Sequence, residues 1–492
     1  MNKSFINWKR TAQIPATAEA GGEYILPNDL PDVKKILHVF TNLKNNGCFF
    51  DAPGVTADAE LSYLIVYTGD DGKLHSVKYN APVTAKSQSG VSDEAETAEA
   101  VFYTPDNQIR LSNPRKFQIK SRVPVQFNVY GKEEITPYIE GVQDSGLQCC
   151  EKNGVTYSVL SSREDDIPYS TDVQIPDSCP EPESLVSSYA VTSVPKVTAA
   201  DGKAEISFFV DLMFVYSSSE GEAVSYKSTV DISHEIAADG MTEDSVCRGI
   251  VCANELNCEL TTDKSGEMRV IEADLTYNAE ILYETAERGI YVADMYSTEY
   301  ESTETYADMT IRRAQPVFNT HFTVSGSADG EYAGDVLFAT ASCDKFELTN
   351  EDQSTVLSGI IEVYAVINEN GEFEGATAAI PFRSVLQYSM NDNDEYNADV
   401  SVGMPTVRID GNSIYMDAEL YVSVYGHEYE AVKTVSAMTI SDTPVDKSKP
   451  SLRLYRPDPG ETDWDTAKRF KVSAEALQKA NSLNNKKIYI IP

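Results

Sequence analysis

The chain has 492 residues, with 77 Asp or Glu against 40 Lys or Arg and a net charge of −37. A body this acidic repels phosphate backbones, which excludes nucleic acid as a partner, and an apolar share of 41% with 28 Tyr excludes wholesale disorder. The richest apolar run, Ile206 to Tyr216, is broken by Asp211, so no membrane span is predicted.

From the N-terminus, residues 1–20 are basic at first and lack the apolar core of a secretory signal. They are expected to be a tail, and the chain is expected to stay in a cytoplasm. Alternation of apolar and polar residues then begins, in segments rich in Val, Ile, Tyr, Thr and Phe. Residues 61–67, 123–130, 206–216, 277–283, 360–367 and 420–426 carry it, and period two is the mark of half-buried strands. Three turns repeat, at Asp70-Asp71-Gly72-Lys73-Leu74, Ser219-Glu220-Gly221-Glu222-Ala223 and Glu369-Asn370-Gly371-Glu372-Phe373, with glycines 149 and 150 residues apart. Glycine reaches the positive φ of a tight hairpin without steric cost. Tyr130, Tyr283 and Tyr425 end strands at nearly the same period, and Pro82 and Pro381 each follow their glycine by ten residues where the second copy has Asp231.

The expected fold is therefore mainly β: three tandem modules of about 150 residues, then a small α/β module in βααβ order. The predicted bounds are 21–145, 186–312 and 313–442 for the modules. A Pro-, Ser- and acid-rich linker is expected at 146–185, a second linker at 443–451, and a solvated acidic loop at 87–100. From Leu452 to Pro492 there are 8 Lys or Arg and 5 Asp or Glu, a net of +3 that leaves −40 for the rest. Trp464, Ala467 and Phe470 fall on one helix face, Ser473 stands as an N-cap with Glu475 in the first turn, and Ala476, Leu477 and Ala480 form the next apolar stripe.

The search for chemistry is mostly negative. His234-Glu235 and His427-Glu428 lack the second His four residues on that a zinc-protease helix needs, since Ala238 and Ala431 stand there. Cys247, Cys252 and Cys258 are too widely spaced for a zinc site and are expected to be reduced, packed as small hydrophobes. Gly69 to Lys73 is a poor phosphate loop, because two carboxylates lie where phosphates would sit. The acidic run Asn391 to Glu395 lacks the spacing of a calcium loop. No catalytic residue, metal or cofactor is expected.

Two stretches resemble known families. Tyr455, Pro459-Gly460-Glu461-Thr462, Trp464, Ala467, Val472-Ser473, Leu477, Asn481, Leu483 and Ile490-Ile491-Pro492 resemble a LysM module, although Asp463 and Thr466 replace apolar residues and the loop after Leu483 is short. Ile25 to Leu37 (ILPNDLPDVKKIL), with Asn113-Pro114-Arg115-Lys116-Phe117, resembles SPOCS-domain spore coat proteins. β modules followed by one LysM module is the arrangement of SipL-like spore morphogenetic proteins. The resemblance implies a non-enzymatic scaffold, cytosolic in the mother cell and placed at the forespore surface. Its LysM module would dock on the basement-layer coat ATPase, with Gly460, Glu461, Thr462, Trp464 and Lys468 as contacts. The alternative partner it implies is an N-acetylglucosamine polymer of wall or cortex peptidoglycan.

Overall fold

The computed structural model describes all residues except 1–3, 52, 88–89, 143–145, 352–353, 392–393, 447–452 and 482–487. Strand accounts for 76% and helix for 3%, so the chain is mainly β. One topology occurs three times. In the first copy, Phe5–Ile25 is followed by an antiparallel meander of Val33–Asp51, Gly54–Gly69 and Leu74–Lys86. Ala95–Phe102 and Asp106–Asn113 come next, and the long strand Lys116–Ile135 returns to pair with them and with Phe5–Ile25. The second copy uses Leu147–Gln174, a meander ending in Lys203–Ser218 and Ala223–Ala237, then Val246–Thr261 and the long strand Val270–Ser297. The third uses Tyr300–Ala314 and Phe318–Asp329, the meander Asp335–Glu351, Ser354–Glu369 and Glu372–Leu386, then the long strand Ser413–Pro444.

In each copy the meander faces the other sheet across an apolar core, as the inward halves of alternating strands require. Tyr63, Phe117 and Phe127 fill the first core, Phe208, Phe214 and Tyr277 the second, and Leu357, Ile361 and Leu420 the third. Gly72, Gly221 and Gly371 turn the second meander strand into the third in all three copies, at φ of 75°, 83° and 91°. Tyr130, Tyr283 and Tyr425 all lie on the long last strands but face differently. Tyr283 is inside its own core, donating to the Asp239 carbonyl at 2.7 Å, whereas Tyr130 and Tyr425 lie under the guanidinium groups of Arg312 and Arg248.

The boundaries differ from those expected. Within the expected tail 1–20, the residues from Phe5 onward are strand, because Phe5–Ile25 pairs along the whole of Lys116–Ile135. Pro15 is tolerated there because this is an edge strand, and the Thr- and Ala-rich segment shows little alternation to betray it. Residues 146–185 are not a linker either: Leu147–Gln174 spans most of them, paired to Val270–Ser297. Two of its acids are paired, Glu164 with His234 at 2.8 Å and exposed Asp166 with Lys44 at 2.7 Å. The third copy begins at Tyr300 rather than residue 313, and its last strand runs to Pro444. Most of 443–451 lies outside the described residues. The strand Ala95–Phe102 begins within the predicted loop 87–100, and Glu99 is buried.

The stretches Ile25 to Leu37 and Asn113 to Phe117 meet in space. The Arg115 guanidinium donates to the carbonyls of Leu30 at 3.1 Å and Pro27 at 2.7 Å and to Asp32 at 2.6 Å. The second copy repeats this lock where the linker was expected. Arg269 donates to the carbonyls of Pro176 at 3.1 Å and Cys179 at 3.0 Å, and the Ile175 amide bonds the Arg269 carbonyl as the Leu26 amide bonds that of Arg115.

Candidate functional site

The C-terminal segment has the expected βααβ order: Arg453–Tyr455, α1 (Asp463–Phe470), α2 (Ala474–Ala480) and Tyr489–Ile491, the two strands paired. Gly460 makes the entry turn at φ 89°, with open space where a Cβ would stand. Glu461 accepts from the Tyr455 hydroxyl at 2.7 Å and the Asp458 amide at 2.9 Å. Thr462 is the N-cap of α1 in a reciprocal box with Asp465, which satisfies amides that the first turn leaves unpaired. Ser473 caps α2 through the Ala476 amide at 3.1 Å. Ala467, Leu477, Tyr489 and Ile491 close a small core. Both departures from the LysM pattern have internal roles. Asp463 accepts from the Tyr489 hydroxyl, and buried Thr466 donates to the Thr462 carbonyl at 3.1 Å. The short loop after Leu483 lies outside the described residues.

The five expected contact residues divide into two groups. Gly460, Glu461 and Thr462 build the turn and cap of α1. Trp464 and Lys468, one helical turn apart and therefore on one face, hold the module to the β body. The Trp464 indole N–H donates to Asp294 Oδ2 at 2.8 Å, and Lys468 Nζ donates to Asp294 Oδ1 at 2.6 Å and to the Tyr306 hydroxyl at 3.1 Å. Tyr306 itself donates to Asp294 Oδ1 at 2.6 Å, and Glu304 lies 3.3 Å from the ammonium. Fully buried Tyr296 joins the small module's core, meeting the Trp464 ring edge-to-face at 5.0 Å and donating to the Val472 carbonyl at 2.7 Å. The placing strand Val270–Ser297 alternates, so Asp294 and Tyr296 point the same way at spacing two.

Electrostatics follow the geometry. Burial alone would raise the Asp294 carboxyl, but Lys468, Tyr306 and Trp464 outweigh it and hold the group below its ordinary range. Burial alone would lower the Lys468 ammonium, and Asp294, Tyr306 and Glu304 reverse that and raise it. Charge-assisted hydrogen bonds of this kind are worth about 1.5–3 kcal/mol each.

A second polar assembly lies where the three modules meet. Glu284 takes a bidentate pair from Arg312 at 2.7 and 2.9 Å and a third bond from His427 Nε2 at 2.8 Å, all three groups being buried. Burial would raise Glu284; His427 and Arg312 overcome it, and the carboxyl is held low. Arg248 pairs with buried Glu99 and lies 4.0 Å from Asp399. Burial dominates at Asp399, pushing it up to about 6 against the pull of Arg248. Separately, Leu37, Phe40, Met213, Val215, Phe338 and Val366 bring all three modules into one buried apolar cluster. A cavity of about 1060 Å³ opens beside it, lined by His38, Tyr189, Cys252, Tyr364 and Asp399 among others.

His38, desolvated against Phe40 and Tyr364, is pushed down to about 4 and stays neutral. Burial raises the thiols of Cys247 and Cys343 to about 12 and that of Cys252 to about 11, so they remain protonated. Among the described residues no two cysteines form a disulfide, and no group of three or more His, Cys, Asp or Glu is placed to hold a metal ion. No described helix is long and apolar enough to cross a membrane.

Sequence reasoning found Trp464 and Lys468 but missed their receivers Asp294, Tyr296, Glu304 and Tyr306, which sit about 160–170 residues upstream in strands like any others. No family model, curated protein or solved structure matches the chain.

Proposed function

We propose that the chain is a non-enzymatic scaffold of spore coat assembly, with a fused three-module β body and a separable C-terminal docking module. In this reading the protein is cytosolic in the mother cell and sits at the forespore surface, and its LysM-like module docks on the basement-layer coat ATPase. The observation that carries it is the contrast in how the parts are joined: an apolar junction with buried charge pairs inside the body, against one polar face at the module. A net of +3 on a body of −40 favours acidic protein partners and a salt-sensitive encounter.

Deleting residues 453–492 is expected to abolish forespore localisation while the β body keeps its thermal transition. Localisation that survives the deletion overturns the proposal. Retention of the full chain on purified peptidoglycan, lost with the same deletion, would replace it with the glycan-binding alternative.

A further inference from the structure

The body's own surface shows what the face of α1 is built to recognise. Trp464 and Lys468 meet a carboxylate that accepts from both, a second carboxylate at 3.3 Å, and two tyrosines. Lys468 is side-chain buried to three quarters, and among the described residues its ammonium meets acids and a tyrosine hydroxyl. A neutral sugar supplies no charge to replace Asp294.

We propose that the Trp464–Lys468 face is a recognition surface for an acidic, tyrosine-bearing protein segment, and that Asp294 holds it in reserve by occupying it within the same chain. The inference rests on the scaffold reading and names the chemistry of its partner. A competing segment replaces the Asp294 bonds one for one, so exchange needs little net free energy; the cost is the loss of Tyr296 from the module's core. Docking in cis lowers the apparent affinity for any such segment by the fraction of chains that are closed.

The test uses the full chain as wild type, Asp294→Ala and Asp294→Ala/Lys468→Ala. Hydrogen exchange across residues 463–480 reports docking, and retention on an immobilised glutamate–tyrosine copolymer reports recognition. Asp294→Ala is expected to speed exchange in α1 and α2 at least roughly tenfold and to raise copolymer retention by a similar factor. Adding Lys468→Ala is expected to return retention to the wild-type level while exchange stays fast. Unchanged exchange in Asp294→Ala overturns the closed state. Faster exchange with no gain in retention overturns the recognition chemistry. Asp294→Asn, which keeps the shape of the side chain, covers the case in which the alanine variant fails to fold. Neither negative outcome touches the scaffold reading, which stands or falls on localisation of the 453–492 deletion.

Discussion

The joints inside the β body and the joint that carries the C-terminal module are built on opposite principles. Between the modules, Phe40 packs against Tyr189 of the second copy and Phe338 of the third, with ring centroids 4.8 and 5.9 Å apart. Elsewhere between the modules, Glu284 of the second copy and Arg312 and His427 of the third are buried against one another. Separating such a joint exposes apolar area and strands buried charges, so its parts open together or not at all. The small module instead rests on the carboxylates of Asp294 and Glu304, the Tyr306 hydroxyl, one ammonium, one indole and the buried ring of Tyr296. Its bonds are strong individually but exchangeable, because any surface offering a carboxylate can take them over. A joint of the first kind makes a platform; a joint of the second kind makes a switchable contact.

The largest test of this contrast is Glu284→Gln. Removing the charge leaves Arg312 and His427 buried without their counter-ion, and the body is expected to lose about 3–5 kcal/mol in urea unfolding. The loss should appear as a lower midpoint for the whole body, with all three modules moving together. A single module melting early would break the account of a fused platform.

Next in size is docking itself, which pH can dissect. Asp294 is lowered in the docked state, so its contribution is present above the ordinary carboxylate value of 3.8 and is lost as pH falls through the lowered value. Lys468 is raised, so its contribution is present below its ordinary 10.5 and disappears as pH rises through the raised value. Hydrogen exchange of α1 and α2 is therefore expected to be slowest, relative to the undocked module, between about pH 4 and 10, with docking weakened by about 1–3 kcal/mol outside that window.

Asp399 gives the opposite sign inside the body. Its folded value of about 6 exceeds the ordinary 3.8, so folding favours the protonated acid and wild-type stability falls as pH rises from about 4 to 6. Asp399→Asn is expected to remove that dependence and to raise stability above pH 6 by about 1–2 kcal/mol, after allowance for screening by water in the adjoining cavity. The smallest effect is at the repeated turns. Gly371→Ala meets nothing within 4 Å, so only its φ of 91° is penalised, at about 1 kcal/mol in a thermal melt.

Much of this architecture was legible because it is local. The three glycine turns, the alternating runs and the cap at Ser473 depend on residues within a few positions of one another, and all stand where their chemistry places them. What escaped was set by pairing at long range. The strand Leu147–Gln174 looked like a linker because its acids and Pro168 carry no sign of the Val270–Ser297 strand that pairs with it. The Pro176-to-Glu181 turn was in fact legible in principle, as a second copy of Pro27 to Asp32 lying 149 residues on, each locked by an arginine at the far end of its sheet. Trp464 and Lys468 were identifiable as a face, but nothing near them in sequence revealed that Asp294 already fills it.

The most direct measurement is native-state hydrogen exchange of the full chain across a low range of denaturant. The account predicts two opening units: residues 463–480 exchange through a low-energy opening that leaves the β body protected, while the strands of all three modules share one higher-energy, cooperative opening. Exchange of α1 and α2 at the same free energy and denaturant dependence as the body would contradict it, because the small module would then be part of the platform and not a contact made to be released.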